Sequence, residues 1–130
     1  MIATAVHHVS FRIQELEPSL HFYRDILGLE PIERPDFGIQ GAWLQAGTGT
    51  QIHLIVAPRD DAPEAGKVSP IENHTAFAVE DYDTTRDHLR SHGLEVLETN
   101  PTQGQMWVSD PSGNIIEFTT GAGVSLASTD

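Results

Sequence analysis

The sequence contains no cysteine, and basic residues are scarce. Without Cys there can be no disulfide framework, thiol nucleophile or thiolate metal site, so any metal ion would have to be bound by His and carboxylates. Only 7 Lys and Arg stand against 19 Asp and Glu, which gives a formal net charge of -12 at pH 7. A surface of this charge should repel nucleic acid and anionic lipid. We therefore expect no nucleic-acid partner.

Long apolar segments are also missing. No apolar run is long enough to span a bilayer, and the first ten residues, MIATAVHHVS, lack a basic segment followed by an apolar one. We therefore expect no membrane association and a cytoplasmic location. The 130 residues, of which 38% are hydrophobic, suffice for one compact domain with a modest core.

The chain repeats itself once, at a spacing of 64 to 66 residues. His8 recurs as His74 at an offset of 66, and Trp43 recurs as Trp107 at an offset of 64. Between them, GLEPIE recurs as GLEVLE at an offset of 65, so two single-residue deletions explain the drift. An ordered series of matches across most of the chain predicts an internal duplication.

Both copies predict the same order of elements, one strand, one helix and three further strands. In the first copy the strand TAVHHVSFRI precedes an amphipathic helix with Pro18 at its first position and Gly28 at its end. The second copy has HTAFAV, a helix from about Asp81 to His92 ended by Gly93, and strands near LEVLE, QMWVSD and NIIEFTT. The predicted fold class is α+β, built from two tandem βαβββ modules.

The two modules are expected to form one domain over residues 1–130. Module one covers about residues 4–58 and module two about residues 72–120. The segment between them, residues 59–71, is Pro-rich and acidic and is predicted to be a linker. The small and polar residues 121–130 are predicted to form a loosely attached tail.

Four ionisable side chains fall on the strand faces that point away from the predicted helices. They are His8, His53, His74 and Glu117, and they occupy two repeat-equivalent positions, each used twice. A single strand histidine is usually solvated or hydrogen-bonded, but this repetition predicts a shared cavity if the two sheets face each other. Neutral imidazoles with a carboxylate suit Zn, Ni, Co, Mn or Fe(II), so we predict one divalent metal ion per site.

The other histidines lack this pattern. His7 should point to the face opposite His8, and His21, His88 and His92 lie on or near helices, so all four are expected to be solvated.

Two further side chains share the face of the candidate ligands. Arg12 lies on the face of His8, where a planar guanidinium could pair with a substrate anion or with one of the many surface acids. Gln51 lies on the face of His53 and is a second candidate for substrate binding. Trp43 and Trp107 could line the cavity, although Trp in strands is more often part of a core or an interface.

Several segments together resemble the vicinal oxygen chelate superfamily, which includes glyoxalase I, extradiol dioxygenases and bleomycin-resistance proteins. The resemblance covers about residues 5–120 and rests on the segments HHVSFRIQELEPSLHFYRDILGLEPIE, GAWLQAG, QIHLIV, NHTAFAVED and DPSGNIIEF. It implies paired βαβββ modules that form half-barrels, usually in a homodimer, with one divalent metal in the cleft and a small-molecule substrate.

The resemblance also implies roles for individual residues. His8 matches the first-strand ligand, His74 its counterpart in the second module, and Glu117 the carboxylate of the last strand. His53 stands where glyoxalases carry a Glu ligand, a departure that leaves it either a ligand or an outer acid/base. In glyoxalase-like chemistry Glu117 would also act as the catalytic general base.

Three functional hypotheses follow from the site and the resemblance. The first is a metal-dependent lyase or isomerase of the glyoxalase I type acting on a small oxygenated metabolite. The second is a dioxygenase whose Fe(II) ion would be bound by His8, His74 and Glu117. The third is a ligand-sequestering protein of the antibiotic-resistance type, a class that normally lacks a metal site.

Overall fold

The computed structural model describes residues 1–47, 49–58, 68 and 73–120. The chain divides into two compact units, Met1–Ala62 and Pro63–Asp130. The predicted tail lies outside the described residues, and so does the predicted linker apart from Val68.

The first unit contains one helical segment and a four-stranded sheet. Its elements in chain order are β1 (His8–Ile13), α1 (Leu16–Leu20) followed directly by a π-helical turn (His21–Ile26), β2 (Glu30–Ile32), β3 (Gly41–Gln45) and β4 (Gln51–Val56). The strand order is β1-β4-β3-β2, with β1 parallel to β4 and the other pairs antiparallel. This is the βαβββ order that the sequence predicts.

The helix of the first unit departs from its prediction at its start, whereas its end agrees with the prediction. It begins at Leu16, so Pro18 takes the third helical position rather than the first. A proline is tolerated there because the N–H groups of the first turn have no partner within the helix. The last turn widens, with Leu27 N donating to Phe22 O at 3.0 Å, five residues back. Gly28 then ends the helix with φ of 78°.

The core of the first unit lies between its helix and one face of its sheet. The ring of Tyr23 stacks on Phe11, with 5.4 Å between centroids. Alternation along β1 and β4 has the predicted phase, because His8, Ser10 and Arg12 are exposed on the other face of β1. The buried apolar residues of this unit are Phe11, Ile13, Phe22, Tyr23, Ile26, Leu44, Ile52 and Leu54.

The second unit repeats this architecture. Its elements are β5 (Thr75–Ala78), α2 (Tyr82–Ser91), β6 (Leu97–Asn100), a 3₁₀ turn (Pro101–Gln103), β7 (Gln105–Ser109) and β8 (Ile115–Thr119). The strand order is β5-β8-β7-β6, again with one parallel pair. The chain therefore has the predicted α+β fold with two four-stranded mixed sheets.

The ends of α2 agree with the sequence signals. The Asp81 carboxylate accepts a hydrogen bond from Thr84 N at 2.8 Å, and Gly93 follows the helix with φ of 79°. One boundary differs, since β5 begins at Thr75 and His74 lies just before the strand rather than inside it. No helix among the described residues is long and apolar enough to cross a membrane.

The turn between β7 and β8 is built around the buried carboxylate of Asp110. Its Oδ1 accepts hydrogen bonds from Ser112 N at 2.9 Å and Asn114 N at 2.8 Å. Its Oδ2 accepts from Asn114 Nδ2 at 2.9 Å, and Gly113 adopts φ of 90°. The sequence DPSGN thus fixes where β8 begins, and with it the position of Glu117.

Candidate functional site

In the first unit, His8 and His53 lie against each other. Their rings stack with 4.1 Å between centroids and 12° between planes. The parallel pairing of β1 and β4 sets Ser10 opposite His53, so both imidazoles leave the sheet on the face away from the helix. Two of the four candidate ligands are therefore neighbours within this unit.

His53 is the more enclosed member of this pair, with 7% of its surface exposed. The Trp43 indole covers its other face, with 4.2 Å between centroids and 5° between planes. Gln51 Oε1 lies 2.9 Å from His53 Nε2. Because an amide oxygen can only accept, this hydrogen bond requires the tautomer with the proton on Nε2 and the lone pair on Nδ1.

The surroundings of His53 favour its neutral form. Burial lowers the pKa of His53, and the neighbouring charges of His8, His7 and Arg34 lower it further. A neutral imidazole is the form that binds a metal ion. The electrostatics of this position therefore suit a ligand at neutral pH.

His7 does not lie where the sequence predicts. Its Nδ1 is 2.9 Å from His8 Nδ1, and the two rings meet edge to face at 5.1 Å. The alternation argument fails because β1 begins at His8, so His7 lies outside the strand. All four histidines outside the pattern, His7 included, are exposed, as predicted.

In the second unit, His74 and Glu117 form the equivalent pair. His74 Nε2 lies 3.1 Å from Glu117 Oε1, and Glu117 is 5% exposed. Gln105 Nε2 donates to the other carboxylate oxygen, Oε2, at 3.1 Å. Both oxygens of a buried carboxylate therefore have a polar partner, as such a group requires.

In each unit a tryptophan lies directly opposite a candidate metal ligand on the neighbouring strand. Trp43 pairs with His53 between β3 and β4, and Trp107 pairs with Glu117 between β7 and β8. Trp107 also meets His74 edge to face at 4.6 Å and donates from Nε1 to Thr99 Oγ1 at 2.8 Å. The two tryptophans therefore pack beside the candidate ligands.

Gln105 and Phe37 are neighbours of the site that sequence reasoning missed. Gln105 lies two positions before Trp107, so alternation along β7 could have placed it on the same face. Phe37 lies in the β2–β3 loop, where its ring is 5.9 Å from Trp43 and Arg34 lies 5.2 Å over it. No periodic signal marks a loop residue of this kind.

The two candidate substrate contacts lie on the face of His8 and His53. Arg12 is exposed, and its Nη1 donates to the Ala57 carbonyl oxygen at 3.2 Å. Gln51 pairs with His8 across β1 and β4, and its amide oxygen contacts His53. Gln51 therefore neighbours the first pair of candidate ligands, whereas Arg12 shares their face further along β1 and contacts Ala57.

The donor atoms present fit a divalent metal ion. Among the residues that the structure describes, no three His, Asp or Glu side chains gather into a ready-made ligand set, and each unit supplies a pair. His74 Nε2 and Glu117 Oε1 are 3.1 Å apart. Two donors bound to one ion at about 2.1 Å and at the tetrahedral angle would lie about 3.4 Å apart, so this spacing is close to that of adjacent coordination positions.

Comparison with known proteins identifies the class to which this fold belongs. The sequence-family model that describes the Glyoxalase/Bleomycin resistance protein/Dioxygenase superfamily matches residues 5–118 of this chain. The chain therefore belongs to this superfamily.

Individual relatives support the same assignment. Glyoxylase I 4 of Arabidopsis thaliana is 32% identical over 122 residues, covering 88% of this chain and 70% of the relative. Lactoylglutathione lyase of Haemophilus influenzae is 28% identical over 119 residues, covering 85% of this chain and 88% of the relative. A glyoxalase family protein from Bacillus anthracis has a similar solved structure, with a TM-score of 0.73 and 27% sequence identity. The match covers 91% of this chain and 95% of that protein.

Proposed function

We propose that the protein is a divalent-metal-dependent lyase or isomerase of the glyoxalase I type, acting on a small oxygenated metabolite. The observation that carries the proposal is the contact between His74 and Glu117, with donor atoms 3.1 Å apart, at the positions where the first unit pairs His8 with His53. The names of two relatives, Glyoxylase I 4 and Lactoylglutathione lyase, support this choice of reaction.

The proposed ligands are His8, His53, His74 and Glu117. A bound divalent ion would supply Lewis acidity, stabilising negative charge on adjacent substrate oxygens. We also expect the chain to act as a homodimer. Native mass spectrometry, which reports the number of chains per assembly, checks this expectation.

Glu117 is the proposed general base. In the proposed reaction it takes a proton from a substrate carbon beside a carbonyl and returns it to the adjacent carbon. Its Oε2 accepts from the amide of Gln105, so Oε1, beside His74, would alternate between binding the ion and taking the proton. The burial of Glu117 keeps competing water away from this oxygen.

Arg12 and Gln51 are the proposed substrate contacts. The exposed guanidinium of Arg12 suits a carboxylate or another anion of the substrate. The NH₂ group of Gln51, whose amide oxygen is engaged by His53, can donate to a substrate oxygen. Both contacts orient the substrate and take no part in the proton transfer.

A dioxygenase is the second candidate, and it requires that His53 does not bind the metal ion. His53 is enclosed by Trp43 and His8 and hydrogen-bonded by Gln51. If these contacts hold His53 back as an outer acid/base, His8, His74 and Glu117 remain. Two histidines and one carboxylate are the ligand set of many Fe(II) oxygenases.

The metal content of the purified protein tests the proposal. We expect about one divalent ion per chain by plasma mass spectrometry, in protein made without a His tag, and its loss in His74→Ala and Glu117→Ala. His88→Ala is the matched control, because His88 is an exposed helix histidine. Zn, Ni or Co would support the lyase or isomerase, and Fe would favour the dioxygenase. No metal after reloading, with all variants folded, would leave a ligand-binding protein.

A further inference from the structure

In each unit a glutamine amide contacts one candidate ligand. The amide uses its oxygen in the first unit and its nitrogen in the second. Gln51 turns its oxygen toward His53 Nε2 at 2.9 Å, whereas Gln105 turns its nitrogen toward Glu117 Oε2 at 3.1 Å. We infer that Gln51 and Gln105 are positioning residues that set which atom of each side chain is presented to the metal ion. This inference rests on the proposed function.

The direction of each amide matches the chemistry of its partner. A neutral imidazole has one N–H group that needs an acceptor, and the amide oxygen of Gln51 supplies it. A carboxylate needs donors, and the NH₂ group of Gln105 supplies one. One residue type thus meets opposite requirements because it carries both an acceptor and a donor.

Strand geometry explains why both glutamines reach their partners. Gln51 lies two residues before His53 on β4, so alternation puts both on one face. Gln105 pairs with Thr119, two residues after Glu117, and is therefore its diagonal neighbour across β7 and β8. Both glutamines are half-buried, so bulk water competes little for these hydrogen bonds.

The two hydrogen bonds select the atoms that remain for a metal ion. With Nε2 of His53 donating to Gln51, the lone pair of this ring is on Nδ1. With Oε2 of Glu117 held by Gln105, Oε1 is turned toward His74 Nε2, the other candidate ligand of this unit. Partners of this kind fix the tautomer and orientation of ligands, and their loss typically weakens metal binding about 10- to 100-fold.

The same substitution at both positions should have opposite effects on metal affinity. In Gln51→Glu a carboxylate replaces the amide oxygen as the acceptor for His53 Nε2. A carboxylate is the stronger acceptor, and it makes the imidazole more basic and therefore a better metal ligand. We expect it to bind Zn²⁺ at least as tightly as the wild type. In Gln105→Glu a second carboxylate faces Glu117, and the like charges repel. We expect this variant to bind Zn²⁺ at least about 10-fold more weakly.

Three controls separate this effect from added charge and from misfolding. Gln103→Glu adds the same charge at an exposed position in the 3₁₀ turn and should leave Zn²⁺ affinity unchanged. Gln51→Met and Gln105→Met remove the amides without adding charge, and both should weaken Zn²⁺ binding. Thermal unfolding of each metal-free variant identifies those that do not fold, and only folded variants enter the Zn²⁺ titration by calorimetry.

A second measurement needs no metal. The nitrogen chemical shifts of the His53 ring in metal-free protein should show the tautomer with hydrogen on Nε2, and Gln51→Met should lose this preference. A hydrogen on Nδ1 in the wild type would overturn the inference, as would equal changes in Zn²⁺ affinity in the two glutamate variants. If the wild type binds no metal ion, the proposed function is wrong. The His53 tautomer would still test whether the Gln51 amide oxygen faces the ring.

Discussion

Trp43 lies flat on His53, with 4.2 Å between ring centroids and 5° between ring planes. The two residues are directly paired across β3 and β4. His8 covers the opposite face of the same imidazole, so His53 is held between two rings. This enclosure is the structural origin of the burial that lowers the pKa of His53.

The first prediction concerns the stability of the metal-free protein at low pH. Because the pKa of His53 is lower in the folded state, folding favours its neutral form, and this contribution is complete above the unfolded value of about 6.5. The free energy of unfolding in urea should therefore fall as the pH decreases from 7 toward 5.

Replacement of His53 tests the origin of this pH dependence. In His53→Gln the loss of stability between pH 7 and 5 should be smaller than in the wild type. His21→Gln, which changes an exposed histidine, is the control and should keep the wild-type profile. Identical slopes for His53→Gln and the wild type would contradict the prediction.

The second prediction concerns Tyr82 at high pH. Burial and the hydrogen bond to Glu98, 2.9 Å from Oη to Oε1, raise the pKa of Tyr82 to about 12. A raised pKa favours the neutral phenol, so its contribution to stability is present below about pH 10 and is lost as the pH rises toward 12. Tyr82→Phe should be less stable than the wild type at pH 7.

The difference between these two proteins should shrink as the pH rises above 10. Urea unfolding at pH 7, 10 and 11 measures it, and the difference in ultraviolet absorbance between the two proteins should report a phenol titrating near pH 12. A Tyr82 phenol that titrates near pH 10 would argue against the prediction.

The third prediction concerns the close approach at Gly41. A Cβ there would collide with the backbone oxygen of Leu54 and lie 3.0 Å from Arg34 Nη2. Gly41→Ala should therefore destabilise the protein by about 1–3 kcal/mol, measured by urea unfolding. Gly49→Ala is the matched control, because a Cβ there meets nothing within 4 Å. Equal stability of the two variants would show that β3 and β4 adjust without cost.

The fourth prediction concerns the turn that positions β8. Asp110→Ala removes the acceptor of two backbone N–H groups, one of them buried, and should cost about 2–3 kcal/mol in unfolding free energy. Asp110→Asn keeps one oxygen for these donors and should cost about 1 kcal/mol. Nearly equal losses in the two variants would indicate that the charge of Asp110, rather than its accepting geometry, holds the turn.

Much of the fold follows from local patterns in the sequence. The recurrence of His8 as His74 and of Trp43 as Trp107 predicted two modules, and each folds as βαβββ. Helix ends were less predictable. Pro18 indicated a first helical position but lies at the third, because a proline is compatible with any position of the first turn.

The candidate site was predictable in part. Alternation predicted that His8 and His53 lie on the strand faces away from the helix, and the structure stacks their rings. The contact of His74 with Glu117 did not follow from alternation, because His74 lies just before β5. Alternation failed for His7, which lies just outside β1 and contacts His8. Whether the four side chains bind a metal ion stays a prediction, as do the substrate contacts of Arg12 and Gln51.

The sequence by itself determined the duplicated architecture and the residues that share each strand face, because both follow from repeat spacing and the two-residue period of a strand. Only the tertiary structure decided which neighbours those residues have. Strand register brought Gln105 to Glu117 and Trp43 to His53. Register depends on the geometry of the turn that joins two strands and on the packing of their side chains, so it sets hydrogen bonds and burial that local spacing does not encode.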